Sequence, residues 1–125
     1  MASIKLSTIL TAIQGEAKIE VLHPEDTGLP MTVCLLVRDN SQYGPRIEVS
    51  RERGPQLALS EMVSVTISDN PKIVGGGWLP GQDLKLVRAW VLLNGDALLR
   101  YWSHELSQAD MMAALRPFGK PRGSR

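Results

Sequence analysis

The chain has 125 residues, a formal net charge of +1 and a single cysteine. This length suits one domain that can bury a substantial core without disulfides, and one cysteine cannot form an internal bridge. Disulfide-poor chains are typical of reducing compartments. No run approaches the 18 or so apolar residues that a membrane span requires, and the first residues lack the pattern of a secretory signal. We therefore predict a cytoplasmic protein without membrane contact.

Charge is distributed unevenly along the chain. The last ten residues, RPFGKPRGSR, carry four basic side chains and no acidic one, so the rest of the chain is net negative. Basic terminal segments rich in proline and glycine are usually solvated rather than packed. We predict a single domain over residues 1–115, followed by a disordered basic tail over residues 116–125. The tail could also act as an electrostatic arm for nucleic acid.

The first half of the chain contains short β-type patterns. Ser7 could cap a short helix that runs to Gln14, and the alternation at Ile4 and Leu6 allows a strand before it. Residues 18–22 alternate between polar and apolar, a turn follows at 23–28, and residues 31–37 are almost continuously apolar. This combination predicts a hairpin whose second strand is covered on both faces and therefore lies inside the sheet.

Two further strands are predicted in the middle of the chain. Residues 46–50 place Ile47 and Val49 on one face and Arg46 and Glu48 on the other, and residues 63–67 alternate in the same way. The segments 38–45, 51–55 and 69–71 are polar or contain proline and glycine, which indicates loops. The glycine run 75–77 predicts a flexible connection.

The most strongly patterned segment is 84–102, which predicts a helix with a wide apolar face. Leu92 and Leu99 fall among the polar positions, whereas most apolar side chains fall on the opposite half: Leu84, Leu86, Val87, Trp90, Val91, Leu93, Ala97, Leu98, Tyr101 and Trp102. We predict that both tryptophans lie in the core. Asn94-Gly95 combines a good N-cap with a poor helix former, so we predict a kink or two helices meeting there.

The order of elements predicts the fold class. Ser107 has the character of an N-cap for a last helix over 108–115, and Pro117 prevents its continuation. Strands come first and helices last, which is typical of α+β proteins. We predict an antiparallel sheet of about four strands with the C-terminal helices packed on one face.

Residues with catalytic or metal-binding chemistry are few and scattered. The sequence contains no zinc-binding spacing, phosphate loop or serine-nucleophile motif. Cys34 has no polarising neighbour in sequence, and His23, Glu25 and Asp26 fit a solvated turn better than a cation site. We predict no catalytic residues, no metal and no cofactor, which favours a non-enzymatic role.

One candidate nucleic-acid surface lies in the middle of the chain and consists of Arg38, Tyr43, Arg46, Arg51 and Arg53. Arginines can bind phosphates, and an aromatic ring can stack on a base of single-stranded RNA or DNA. Glu48 or Glu52 could then serve as a general base for RNA cleavage. The alternative is a solvated strand face with alternating charges, because Asp39, Glu48 and Glu52 nearly cancel the arginines.

A candidate protein-contact surface consists of Leu92, Leu99, Met111 and Met112. The leucines lie on the polar side of the predicted helix, and the adjacent methionines have no obvious partner in the pattern. Apolar side chains at exposed positions can form a contact patch for a second copy of the chain or for another protein.

The helix motif resembles a family of small bacterial proteins of unknown function. Trp90, Asn94, Leu98, Leu99 and Trp102 match its pattern W-x3-[HN]-x3-L-L-x2-W in every spacing, over about 20 residues. The N-terminal half departs from the family, since it is longer and lacks a histidine-bearing strand. The resemblance implies a cytoplasmic protein encoded in a toxin–antitoxin-like gene pair and acting on a partner. It implies no catalytic residues.

Two functions are therefore predicted. The first is a non-enzymatic protein-interaction or regulatory module, antitoxin-like, that binds another protein or a second copy of itself. The alternative is a nucleic-acid-binding or RNA-acting protein that uses the Arg38–Arg53 stretch and the basic tail.

Overall fold

A computed structural model describes residues 19–36, 44–55 and 62–117 of the chain. In this part of the chain a five-stranded antiparallel sheet has its strands side by side in sequence order. The strands are β1 (Ile19–Leu22), β2 (Met31–Leu36), β3 (Arg46–Arg53), β4 (Met62–Thr66) and β5 (Ile73–Gly75), and the helices are α1 (Pro24–Thr27), α2 (Gly81–Trp102) and α3 (Gln108–Ala114). The predicted α+β class is confirmed. The predicted helix from Ser7 to Gln14 and the strand before it lie outside the described residues.

The hairpin predicted for the first two strands is present. Strand β1 pairs antiparallel with β2, with Leu22 opposite Val33. The connection contains the one-turn helix α1, which ends at Gly28 in the left-handed conformation (φ 83°). The Gly28 N–H donates to the Pro24 carbonyl over 2.8 Å and closes that turn. Residues 31–35 are all buried, as expected for a strand inside a sheet.

The sheet is larger than the sequence pattern predicts. It has five strands rather than about four, because Ile73–Gly75 adds a short strand that pairs Ile73 with Val65. Three residues that end in glycine are too short to show an alternating pattern. Strand β3 continues to Arg53, beyond the predicted end at Ser50, since Arg53 pairs with Met31 across an irregularity in the β2–β3 ladder. The predicted break at 51–53 is therefore wrong.

The core lies between α2 and one face of the sheet. Alternate residues of β2, β3 and β4 form a buried cluster with apolar residues of α2, among them Val87, Trp90, Val91, Leu98 and Tyr101. Trp90 and Trp102 are both buried, which confirms the prediction for the two tryptophans. Burial of one tryptophan side chain removes roughly 150–250 Å² from water, which at about 25 cal/mol per Å² is several kcal/mol before opposing terms.

Helix α2 is continuous over 22 residues, so the predicted alternative of two helices meeting at Asn94-Gly95 is wrong. The Asn94 side chain does not cap a new helix. Its Nδ2 donates to the Arg116 carbonyl over 3.0 Å, and its Oδ1 accepts from the Arg116 N–H over 2.7 Å. Asn94 therefore attaches the segment after α3 to the middle of α2. Arg116, the first residue of the predicted tail, is part of this contact, and residues 118–125 lie outside the described residues.

The ends of the two C-terminal helices are defined by local hydrogen bonds. His104 follows α2 with a positive φ of 67°, and its N–H donates to the Tyr101 carbonyl while the Glu105 N–H donates to the Arg100 carbonyl. This pair of bonds is the Schellman arrangement that commonly ends a helix. Ser107 caps α3 as predicted, because its Oγ accepts from the Asp110 N–H over 3.1 Å.

Candidate functional site

The structure separates the residues of the predicted arginine surface. Arg46 is buried, and its Nε donates to Glu48 Oε2 over 2.9 Å. Glu48 is fully buried, and its Oε1 accepts from Ser64 Oγ over 2.7 Å. This buried polar cluster of Arg46, Glu48 and Ser64 corrects the prediction of a solvated strand face with alternating charges. The guanidinium carbon of Arg46 also lies 6.0 Å from the centroid of a Trp102 ring.

The other arginines of β3 have different surroundings. Arg53 is exposed, and its Nη2 donates to Asp83 Oδ1 in the first turn of α2. This hydrogen bond and the charge of Asp83 raise the pKa of Arg53. Arg51 is half-buried and lies beside Gly77. Arg38 and Tyr43 lie outside the described residues, so the structure places three of the five predicted residues, of which Arg46 is buried.

The two candidate general bases also differ in their surroundings. Glu48 is buried and accepts hydrogen bonds on both carboxylate oxygens, so its position suits a structural role inside the sheet rather than contact with a substrate. Glu52 is exposed at the end of β3. Its N–H donates to Ser50 Oγ over 3.3 Å, which stabilises the irregular end of the strand. The geometry therefore does not support the predicted cleavage chemistry.

Cys34 lies directly across the β2–β3 ladder from Glu48. Burial raises the pKa of the Cys34 thiol to about 12, and the negative charge of Glu48 adds to the shift. The thiolate is the nucleophilic form of cysteine, so a thiol that stays protonated near neutral pH is a poor nucleophile. Cys34 is therefore a core residue, as the sequence predicts.

We expect the native protein to resist thiol-modifying reagents. The pKa of the Cys34 thiol in the folded protein lies above its ordinary value, so the protonated thiol stabilises the folded state. This contribution is complete below the ordinary thiol pKa and is lost as the pH rises from there toward the folded-state pKa of about 12. A thiol-reactive dye at mildly alkaline pH should leave Cys34 unmodified until denaturant is added. Mass spectrometry gives the stoichiometry. Rapid labelling of the native protein at a rate close to that of a free thiol would contradict the buried position.

Metal and small-molecule sites receive little support from the described residues. Within residues 19–36, 44–55 and 62–117 no group of three or more His, Cys, Asp or Glu side chains is placed to hold a metal ion. His23 and Glu25 instead line an open cleft together with Pro24, Pro30, Gly54 and Pro55. This lining is mostly apolar and carries few groups that could orient a ligand. In the same part of the chain, no helix has the length and apolar character needed to span a membrane.

The exposed side of α2 carries a patch of leucines. Leu92, Leu93 and Leu99 are exposed by 54%, 41% and 39% of their area. Leu92 and Leu99 are seven residues apart and point in the same direction, with Gly95 between them. We call Leu92, Leu93 and Leu99 the leucine patch. The sequence pattern predicts that Leu93 lies on the core face of α2. This prediction is wrong, because the core covers a smaller part of the helix circumference than the apolar half of the pattern.

The two methionines of the predicted contact surface are not part of this patch. Met111 is fully buried in the core cluster, and Met112 is half-buried and packs against it. They connect α3 to the core, which explains why a short seven-residue helix has a defined position. Met111 is therefore not accessible to a partner. Of the predicted contact residues, Leu92 and Leu99 are exposed as the sequence pattern indicates.

Among the residues that the structure describes, Trp78 is the most exposed large hydrophobic side chain, at 64%. It follows Gly76 and Gly77, which both have positive φ angles. A Cβ at Gly76 would lie 2.2 Å from the Met62 carbonyl oxygen, so the glycine backbone packs directly on β4. The glycine run is thus a close-packed connection, although the sequence pattern predicts a flexible one.

The chain was compared with known proteins, and no family model, curated protein or solved structure matches it. The resemblance of α2 to the bacterial family therefore depends on its five motif residues. Trp90 and Leu98 are in the core cluster, and Asn94 binds Arg116. These contacts are structural, so the motif mainly describes how the helix packs, and the exposed Leu99 is the exception.

Proposed function

We propose that the protein is a protein-interaction module whose contact surface is the leucine patch of α2. The observation that carries this proposal is the exposure of Leu92 and Leu99, which point in the same direction on a long helix, with Leu93 exposed next to them. The opposite side of α2 is anchored in the core, so the patch is presented on a rigid support. A helix face with aliphatic side chains at this spacing is a common surface for docking another helix or a groove.

The polar residues of the described region also support a non-enzymatic role. Arg46 and Glu48 bind each other inside the sheet, and Asp83 and Asn94 bind Arg53 and Arg116. Among the buried charged and amide side chains of the described region, Arg46, Glu48, Asp83 and Asn94 have the strongest potential for chemistry. Their internal partners connect strands, helices and the C-terminal segment. The groups with chemistry thus stabilise the fold, whereas the exposed surface of α2 remains available for contact.

We expect the double variant Leu92→Asp/Leu99→Asp to lose association with its partner by at least tenfold while it stays folded. Both side chains are partly exposed to water, so the charges cost less in the free protein than in a desolvated apolar contact, where they are strongly unfavourable. Partner binding is measured by quantitative pull-down from lysate of the protein's own source, self-association by sedimentation, and folding by circular dichroism.

The matched control is Trp78→Asp, which removes a larger exposed apolar side chain elsewhere on the molecule. Association should be retained in this control. Equal partner binding and equal oligomer mass in the double variant and the wild type would overturn the proposal. Loss of binding in both variants would indicate a general effect of surface hydrophobicity rather than a contact at the leucine patch.

The nucleic-acid alternative stays a prediction with narrower support. Arg46 is buried and Arg53 already binds Asp83, so the stretch offers less accessible positive charge than its sequence indicates. The favourable observation is that exposed Trp78 directly follows Gly77, which lies beside Arg51. Salt-sensitive retention of single-stranded RNA that is lost in Trp78→Asp and kept in the leucine variant would favour this alternative.

A further inference from the structure

We propose that the partner at the leucine patch is a second copy of this chain, with the two α2 helices antiparallel and a twofold axis at Leu92. This inference rests on the proposed function and names its partner. In this antiparallel arrangement, a residue that lies a given number of positions before Leu92 in one copy faces the residue that lies the same number of positions after Leu92 in the other copy. The exposed side of α2 is complementary to itself under this operation, as a twofold homodimer requires.

The charges on either side of Leu92 are of opposite sign. Arg88 lies four residues before Leu92 and Asp96 four residues after it, so all three share one side of the helix. Antiparallel pairing places Arg88 of each copy opposite Asp96 of the other. A parallel pairing would place Arg88 opposite Arg88 and Asp96 opposite Asp96, which is unfavourable. The charge pattern therefore selects the antiparallel orientation.

Both charged groups can take part in this contact. Arg88 uses Nη2 to donate to Asn70 Oδ1 over 2.9 Å, and a guanidinium has five N–H donors in total. Asp96 is highly exposed, and its nearest cationic atom, Nη1 of Arg100, lies 3.8 Å away. Exposed ion pairs of this length contribute little to stability, so exchange of the Asp96 partner costs little.

Small residues allow the two helices to approach closely. Ala89 lies three residues before Leu92 and Gly95 three residues after it, so the proposed pairing places Ala89 of each copy opposite Gly95 of the other. A Cβ at Gly95 would meet no atom within 4 Å, so open space lies beside this position. Small residues at a helix crossing permit axis separations of about 8 Å, near the lower limit for packed helices.

The ends of the pairing cover Leu99. Lys85 lies seven residues before Leu92 and Leu99 seven residues after it, so the aliphatic stem of Lys85 can cover Leu99 of the second copy. The contact area of one helix pair is at the low end for specific interfaces. We therefore expect a dissociation constant on the order of micromolar or weaker, and a dimer that forms only at sufficient concentration.

The first test uses cysteine crosslinking. Under mild oxidation the variant Leu92→Cys should form a disulfide-linked dimer. Residue 92 of one copy meets residue 92 of the other at the twofold axis, within the short Cα separation that a disulfide needs. The matched variant Leu99→Cys is also exposed, yet in the antiparallel pair its two copies lie about 20 Å apart along the axis. Cys34 is buried and protonated, so it does not interfere. Equal crosslinking of both variants, or none in either, would overturn the arrangement.

The second test exchanges the charges. Arg88→Asp and Asp96→Arg should each weaken dimerisation about tenfold or more in sedimentation experiments, because each creates like charges at two symmetric contacts. The double variant Arg88→Asp/Asp96→Arg should restore it. These positions are eight residues apart on one helix and do not contact each other within one copy, so restoration indicates contact between copies. A double variant as weak as the single ones would refute the pairing.

The outcomes separate this inference from the proposed function. A chain that stays monomeric at high concentration, yet loses a lysate partner in Leu92→Asp/Leu99→Asp, retains the interaction surface but has a different partner. A chain with neither self-association nor a patch-dependent partner refutes both proposals. Dimerisation that the leucine variant leaves unchanged places the self-contact elsewhere and refutes this inference, and it refutes the proposed function as well only when binding of a lysate partner is also unchanged.

Discussion

Gly76→Ala is expected to lower the free energy of unfolding by about 3 kcal/mol or more, one of the largest effects available at a single position in this fold. Gly76 has a φ of +87°, which is unfavourable for a residue with a Cβ. The added Cβ would also lie 2.2 Å from the Met62 carbonyl oxygen and 3.0 Å from Val63 Cα. Both are backbone atoms of β4, so the strand itself would have to move.

The measurement is thermal and denaturant unfolding followed by circular dichroism. For a chain of this length a loss of 3 kcal/mol corresponds to a fall in Tm of roughly 10 °C. Gly95→Ala is the matched control, since it makes the same chemical change in the middle of α2 where a Cβ meets nothing. It should raise stability by up to about 1 kcal/mol through helix propensity, measured below the concentration of self-association. Equal effects at the two glycines would contradict the packing at Gly76.

Glu48→Leu is the second substitution with a large expected effect, a loss of about 3–5 kcal/mol. The change removes the carboxylate to which the buried Arg46 guanidinium donates over 2.9 Å, and it removes the acceptor of the Ser64 hydroxyl. Arg46 then loses the carboxylate that its Nε binds, at a buried position. The loss of an ion-pair partner costs far more than an exposed ion pair contributes, because the remaining charge cannot return to water without rearrangement of the sheet.

The double variant Arg46→Met/Glu48→Leu tests this explanation. It removes both charges and keeps similar side-chain volumes, so it should recover most of the stability lost in Glu48→Leu. The control Glu52→Leu lies on the same strand, where the carboxylate is exposed, and should change stability by less than about 0.5 kcal/mol. A double variant no more stable than Glu48→Leu would show that the cost arises from side-chain shape rather than from the unpaired charge.

Several features of the fold could be predicted from local sequence because local physics determines them. Alternation at 46–50 and 63–67 identified strands, since a strand buried on one face must repeat every two residues. The continuous apolar run beginning at Met31 identified a strand inside the sheet. The tryptophans of α2 were placed in the core because burial of large rings dominates the energetics of a helix face. Ser107 was recognised as a cap because capping involves only neighbouring residues.

Other features depended on residues distant in sequence. The same alternation that identified β3 gave no sign that Arg46 and Glu48 are buried, because Ser64 and Trp102, which lie near them, are 16 residues or more away. The helical pattern predicts that Leu93 lies in the core and that Met111 is exposed. In the structure Leu93 is exposed and Met111 is buried, because the way α3 and the sheet cover α2 decides which side chains reach the core. The leucine patch was thus predicted only in part.

Periodicity and burial are sufficient to predict the α+β class, the positions of the longer strands and the long helix, and most of the apolar residues on the core face of that helix. The roles of the polar residues depend on how the elements pack together. Asn94 binds the backbone of Arg116 rather than breaking α2, and Gly76 packs against β4 rather than acting as a hinge. The physical reason is that a polar group or a glycine has several low-energy local roles, and the choice depends on which distant backbone reaches it.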